Sequence, residues 1–437
     1  MRIILLLMFG CWVVPATVAA QEPERTDSLE QEVRKLKAQL DSLQRMLERL
    51  VREGQDTTQV TDELAVLRAA AQAAAAGVQT GADTTVPQES RTRDLSLTNP
   101  EISVTGDVVG YYTVPAEGRN RAGAVPREFE FSFQAPLDPY TRTKIFAAYH
   151  QDVPIAGLPD AHGHEDEGEG TEGGGHGGTF EIEEAYVYWV GLPGAFGVKV
   201  GKFRQEIGLY NRWHTHALRE VDRPLPYQVF YGEGLIQTGA GLTFPSLTLG
   251  PSTQTLIVEA TAATNEVLFG DGGDMSFLGR FQSFWDLSPT TYVQVGASGV
   301  YGRNRDAELT SRLGQVDLAL RWAPPNRSLY QAFHLKGEWY YGEREIAGEK
   351  ETGKGTYLQL NYRANRRLVF GARGDYVYGF EHLLDTYQVV PTITWWQSEW
   401  LYMRLQYNYV KSKTLQGNHT MLLQVVWAIG PHRHESY

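Results

Sequence analysis

From Glu101 onward, apolar and polar residues alternate with a period of two. Between Leu313 and Trp322, Val316, Leu318, Leu320 and Trp322 fall on one face, and Gln315, Asp317, Ala319 and Arg321 on the other. Between Trp400 and Val410, Leu401, Met403, Leu405, Tyr407 and Tyr409 oppose Tyr402, Arg404, Gln406 and Asn408. Phe277, Phe281 and Trp285 oppose Arg280 and Gln282, and Phe129, Phe131 and Phe133 oppose Glu128, Glu130 and Ser132. Successive side chains point to opposite sides only in an extended strand, so this region is β. About sixteen such segments are expected. They begin near Ile102, Glu128, Arg142, Phe180, Phe196, Leu235, Gln254, Met275, Thr291, Ser311, Tyr330, Gly355, Leu368, Thr386, Leu401 and His419.

The connections alternate too. Short turns rich in Pro, Gly, Asp and Ser follow the even-numbered segments: Pro136–Pro139, Leu192–Gly194, Leu287–Pro289, Pro324–Asn326 and Gln397–Glu399. Longer connections follow the odd-numbered ones: Val114–Pro126, Gln151–Thr179, Arg204–Gly234, Ala263–Asp274 and Gly342–Gly353. An even number of strands with short turns at one end and longer loops at the other is the pattern of a transmembrane β-barrel. Closure leaves no unpaired backbone edge in the bilayer. Tyr111, Tyr112, Trp189, Trp322, Trp339, Trp395, Trp396 and Trp400 suit aromatic girdles. The mean hydropathy of −0.35 is then an average over a lipid face and a water face. A soluble β-sandwich or β-solenoid does not explain aromatic-rich faces on strands of about ten residues, and no internal repeat is visible.

The first residues differ. Arg2 precedes the apolar run Ile3–Val14, and Val18-Ala19-Ala20 offers small residues for cleavage, so 1–20 is expected to be a secretory signal peptide. The only cysteine, Cys11, lies within it. Leu29, Val33, Leu36, Leu40, Leu43, Leu47 and Leu50 follow at spacings of 4, 3, 4, 3, 4, 3, the seam of a coiled coil expected over 21–53. An isolated helix this short needs partners. The alanine-rich stretch and polar linker of 54–100 separate it from the barrel, expected over 101–437.

Sixteen strands enclose a hydrated lumen. Lys144, Lys199, Arg280, Arg321, Lys336, Arg363, Arg373 and Arg404 fall on the polar face, as do Glu130, Glu184, Asp317, Glu338 and Asp375. The former set, mixed with carboxylates, is the expected pore lining. The third long connection, 204–234, is too rich in polar groups for a tether. It is expected to fold inward and constrict the pore, with Arg212, His214, His216, Arg219 and Arg223 as lining residues.

Gly201-Lys202-Phe203, Gly208-Leu209, His214, Asp222-Arg223-Pro224 and Gly232-Glu233-Gly234-Leu235 resemble the central block of the phosphate-selective porin O and P family. The resemblance implies a trimeric sixteen-stranded outer-membrane porin, often preceded by a coiled coil. It is concentrated in 101–437 and clearest over 196–245. The clustered lysines and arginines that phosphate selectivity requires are not apparent in the sequence, so the family's solute is not carried over.

His162, His164 and His176 lie among acidic residues in the second long connection and are expected to capture a divalent metal weakly at most. His432-Arg433-His434 is a weaker cluster. No other cofactor is implied. No Gly-flanked serine accompanies His214 and Asp222, so an enzyme is not expected. A net charge of −12 argues against a nucleic-acid partner. The expected role is passive diffusion of small hydrophilic solutes or ions. The expected setting is the outer membrane of a Gram-negative-type bacterium, with the coiled coil in the periplasm and a homotrimer formed through barrel and coiled coil. The alternative is a metal-binding or cell-wall-linked scaffold barrel that uses the histidine-rich outer loop.

Overall fold

The computed structural model describes residues 100–158, 178–270, 274–303, 309–346, 349–379, 385–413 and 417–430. The expected signal peptide, coiled coil and linker lie outside the described residues. So do His162, His164, His176 and the 432–434 cluster. The strands are β1 (Glu101–Val114), β2 (Arg121–Pro136), β3 (Thr141–His150), β4 (Thr179–Trp189), β5 (Gly197–Arg204) and β6 (Ile236–Thr243). Next come β7 (Leu247–Leu249), β8 (Ser252–Ala262), β9 (Met275–Ser288), β10 (Thr291–Arg303), β11 (Thr310–Trp322) and β12 (Ala332–Ile346). The last five are β13 (Glu349–Arg363), β14 (Leu368–Tyr378), β15 (Thr386–Trp396), β16 (Leu401–Lys411) and β17 (Asn418–Ile429).

All pairings are antiparallel, and β1 closes the ring by pairing with both β2 and β17. The three-residue β7 and β6 both pair with β8, so together they make one stave of a closed sixteen-stave barrel. Closure satisfies the backbone groups that an edge would leave bare in lipid.

The wall is inverted relative to a soluble protein. On β9, Phe277 and Phe281 are exposed outward, while Arg280 between them is 1% exposed. On β16 and β17, Leu405 and Leu423 face out while Arg404, Gln406 and Gln424 are buried inside. An apolar exterior around a polar interior is stable only where the surrounding solvent is itself apolar.

Two expected boundaries are corrected. β2 begins at Arg121 rather than near Glu128, so the first connection is 115–120 and not Val114–Pro126. Pro126 argues against a strand, but a register shift opposite it, between Asp107 and Val109, accommodates the proline as a bulge. β12 and β13 run on to Ile346 and from Glu349, so Gly342–Gly353 is mostly paired strand rather than a loop. That extension lacks an apolar outer face and so lacks period-two patterning. Charge pairs hold it instead: Arg312–Glu343 at 2.6 Å, Lys350–Glu343 at 3.1 Å and Arg344–Glu351 at 2.7 Å.

Candidate functional site

The connection from β5 to β6, 205–235, lies inside the barrel. Its neck is closed where Gln205 N–H donates to Leu235 O at 2.9 Å. Asn211 secures that neck: its Nδ2 donates to Gln205 O at 2.7 Å and Leu235 O at 3.0 Å, and its Oδ1 accepts from Tyr227 OH at 2.7 Å. Gly208 has a φ of 57°, and a Cβ there would run into the Gln315 and Glu338 side chains. The short helix α1 (Leu225–Tyr231) ends at Gly232, φ 62°, and packs on β13 and β14. Its Leu225, Phe230 and Tyr231 join Ile207, Tyr210 and Leu218 in a buried cluster with Tyr340, Tyr357 and Val377 of the wall. Each such large apolar side chain contributes about 1.5–3 kcal/mol on burial, which is enough to hold the segment in a polar lumen.

Polar anchors reach around much of the ring. Tyr231 OH donates to Gln315 Oε1 on β11 at 2.7 Å, and Leu209 N–H donates to Glu338 on β12. Leu225 N–H donates to Asp375 on β14 at 3.0 Å, and Val221 N–H to Gln406 on β16 at 2.7 Å. Arg404 Nη2 donates to Leu218 O at 2.9 Å, and Arg127 Nη2 of β2 to Thr215 O at 2.9 Å. A segment fixed at β2, β11, β12, β14 and β16 crosses the lumen.

At the β2 end the loop meets a carboxylate–imidazole cluster. His214 Nδ1 lies 2.7 Å from Glu130 Oε2 and from Glu183 Oε2, and its Nε2 lies 3.0 Å from Glu184 Oε1. His216 Nδ1 lies 2.7 Å from Glu128 Oε2, and His150 Nε2 lies 2.8 Å from Glu183 Oε1. Arg204 pairs with Glu183 at 2.8 Å. Burial pulls the His214 and His216 imidazoles down, but the carboxylates around them prevail. Glu130 and Glu183 raise His214 well above its ordinary value, and Glu130 and Glu128 raise His216.

The expected lining residues of the wall divide by partner. Arg280 forks onto Asp317 at 2.7 and 3.1 Å. Lys199 pairs with Glu259 at 2.8 Å, and Arg373 pairs with Asp222 at 2.7 Å and Asp375 at 3.0 Å. Arg404 Nη1 donates to Gln424 at 2.7 Å. Lys144 sits over Tyr188 at 5.8 Å, Arg321 over Tyr292 at 5.9 Å and Lys336 over Trp213 at 5.1 Å. In the loop, Arg212 lies 4.0 Å from Glu206, and Arg223 Nη2 donates to Trp213 O at 2.9 Å above the Tyr227 ring.

Two cavities border the loop. One, of about 300 Å³, lies toward the short turns and is lined by Arg219, His334, Lys336, Arg363, Arg404 and Glu399, with Trp213, Trp396 and Trp400. Arg219, Lys336 and Arg363 form no ion pair with a carboxylate among the described residues. Burial lowers Arg219, Glu220 works against it, and the nearby Arg363 and Arg321 charges lower it further. The other cavity, about 130 Å³, lies toward the long loops and is lined by Arg127, His150, Glu183, Arg204, Thr215 and Arg223.

Sequence reasoning passed over Glu183, Arg127, His150 and His334. Strict alternation puts Ile182 with Glu184 and Arg127 opposite Glu128. Register shifts in β3–β4 and β1–β2 add a residue to β4 and to β2, turning Glu183 and Arg127 inward. Pro126 marks the β2 bulge in the sequence, since proline cannot donate to the ladder; nothing comparable marks the one in β4. His150 was legible, because it shares its face with Phe146 and Ala148.

No protein-family model matches the chain. A curated relative, an uncharacterized protein of Aquifex aeolicus, is 29% identical over 221 residues, 43% of this chain and 45% of its own length. The match therefore spans less than half of that relative. Among solved structures, the anion-selective porin from Comamonas acidovorans superposes with a TM-score of 0.52 at 10% identity, covering 76% of this chain and 100% of that one. Pseudomonas putida OprB superposes with a TM-score of 0.51 at 10% identity, covering 78% and 96%. At these identities the likeness is one of fold: the chain folds as a sixteen-strand barrel of the kind found in outer-membrane porins.

Proposed function

We propose that the protein is an outer-membrane channel for passive diffusion of small hydrophilic solutes, with a preference for anions. The observation that carries the preference is the cavity on the short-turn side, where Arg219, Lys336, Arg363 and Arg404 outnumber the one lining carboxylate, Glu399, and none of the first three forms an ion pair among the described residues. Elsewhere in the lumen Arg280, Arg373 and Lys199 are neutralised by acids and offer a solute little. Cations left unneutralised beside low-dielectric walls concentrate anions there. Short turns face the periplasm in bacterial barrels, which makes this cavity the periplasmic vestibule and the loop the constriction above it. The block that resembles the phosphate-selective porin O and P family coincides with that constriction. The resemblance is extended to its position and not to phosphate as solute. The acidic histidine-rich loop of the scaffold reading lies outside the described residues, as does the coiled coil expected to trimerise the chain.

Reversal potentials across planar bilayers under a KCl gradient test the proposal. Stepwise conductance with a potential of the anion-selective sign is expected. Purified, folded protein that gives no conductance overturns the channel. Conductance with a cation-selective sign overturns the vestibule's role while leaving the channel.

A further inference from the structure

The cluster where the loop meets β2 gathers more carboxylates than guanidinium partners. Glu128, Glu130, Glu183 and Glu184 are all buried, and among the described residues the one guanidinium ion-paired to them is Arg204. Arg127 is next to them in sequence but is engaged by Asp107 at 2.8 Å. The other carboxylates are offset by protons on the three imidazoles, by the Arg223 guanidinium that shares their cavity, or by a bound cation. Buried charge without compensation costs several kcal/mol per ion.

The geometry separates this cluster into a wall part and a loop part. Glu128 and Glu130 stand two residues apart on β2 and face inward together. His214 and His216 stand two residues apart in the loop, with ring centroids 6.1 Å apart and planes 24° apart. The two pairs meet: His216 Nδ1 is 2.7 Å from Glu128 Oε2, His214 Nδ1 is 2.7 Å from Glu130 Oε2, and His216 Nδ1 is 3.8 Å from Glu130 Oε2. Within the group Glu128, Glu130 and His216, the candidate ligand atoms all lie within 4.8 Å of one another, and the same holds for Glu130, Glu183 and His214. Around a tetrahedral ion with bonds of about 2.0–2.2 Å, neighbouring ligand atoms sit roughly 3.3–3.6 Å apart, so one ion held by all four side chains requires the two groups, which share Glu130, to draw together around it.

We propose that Glu128 and Glu130 of β2, with His214 and His216 of the loop, form a divalent transition-metal site that clamps the loop to the barrel wall. Two independent features support the assignment. Glu128 Oε2 already accepts the His216 backbone N–H at 2.7 Å. That leaves Oε1, fully buried and without a hydrogen-bond partner among the described residues, for a cation; its nearest imidazole contact is His150 Nδ1 at 3.8 Å. The second feature is the outer support: His214 Nε2 lies 3.0 Å from Glu184 Oε1, the carboxylate–imidazole contact that orients metal-binding histidines. Glu183 is held by Arg204 and His150, which fits it to balance charge rather than to ligate. Two imidazoles and two carboxylates suit Zn²⁺, Ni²⁺ or Cu²⁺ rather than Ca²⁺ or Mg²⁺, which take oxygen ligands alone. The cavity lined by His150 and Glu183 gives an ion a route from the long-loop side. Binding releases the protons that the imidazoles carry.

The test uses the full-length protein folded in detergent, stripped with a chelator and titrated with Zn²⁺, with Co²⁺ absorption reporting coordination. One high-affinity equivalent and a tetrahedral Co²⁺ spectrum are expected. The double substitution His214→Ala/His216→Ala abolishes both. Glu130→Gln, which preserves shape and packing, weakens binding at least tenfold, and Glu184→Gln weakens it about tenfold through its contact to His214. The triple substitution His162→Ala/His164→Ala/His176→Ala leaves the equivalent in place. The proposal is overturned if the two-histidine variant binds as well as the parent, or if the triple variant removes the equivalent. If the two-histidine variant fails to fold by circular dichroism, Glu130→Gln decides, and unchanged affinity there rejects the site. The readout is metal binding rather than transport, so its failure leaves the channel reading intact.

Discussion

Arg373 on β14 holds Asp222 of the inward loop at 2.7 Å, both groups buried, while its Nη1 donates to Asp222 O at 2.7 Å. A single wall guanidinium thus binds the loop by side chain and backbone at once. Asp222 also accepts from Gln388 at 2.9 Å and from Gln406, so β14, β15 and β16 converge on one carboxylate.

Removing one side of such a pair strands the other. Arg373→Met should loosen the loop at a cost of about 3–5 kcal/mol, because Asp222 and Asp375 lose their buried partner. Single-channel recordings should show raised or noisier conductance. The double variant Arg373→Met/Asp222→Asn should cost less than the sum of the single changes. Strict additivity would show that the contact does not fasten the loop.

Gly208 tests the loop through its backbone. Gly208→Ala adds a Cβ at φ 57°, costing about 1–2 kcal/mol for the left-handed conformation, before the contact with Gln315 is counted. Hydrogen exchange across 205–235 should accelerate while the wall strands remain protected. Unchanged protection in the loop would contradict the packed arrangement.

The vestibule cations are expected to set selectivity rather than stability. Arg219→Gln with Lys336→Gln should shift the reversal potential toward cations, and raising salt should narrow the difference from the parent as the charges are screened within about 8–10 Å. The thermal transition should change little. A variant with the parent's selectivity at low salt would remove the vestibule from the account.

The outer wall gives a test independent of the lumen. Leu405 is 45% exposed near the middle of β16. In water, an arginine there would be nearly neutral. In a bilayer, Leu405→Arg should destabilise the barrel by about 2–4 kcal/mol, measured by unfolding from lipid vesicles. A negligible loss would argue against a lipid-facing wall.

Alternation alone carried the barrel. Fourteen of the sixteen expected strand starts fall within two residues of those observed, because a lipid face and a water face impose a period of two wherever the chain crosses the apolar layer. The two misplaced starts, on β2 and β13, lie where that constraint lapses: at the Pro126 bulge, and in a hairpin held by charge pairs rather than by an apolar face. The polar density of 204–234 also marked the loop, since tethers do not need two histidines and four arginines.

What the sequence could not determine was which of these charges meet. Arg373 and Asp222 are 151 residues apart, and Glu128 and His216 are 88 apart. Their contacts exist because ring closure brings distant staves to one lumen and the loop folds across it. The bulges that turn Glu183 and Arg127 inward break the alternation from which facing was read. Clustered cations were not apparent along the chain, yet Arg219, Lys336 and Arg363 come from a loop and two staves to share one cavity. Local pattern is set by the solvent on each side of a strand, so one sequence reveals it. Electrostatic partnership depends on distances through space, and only the closed barrel sets those.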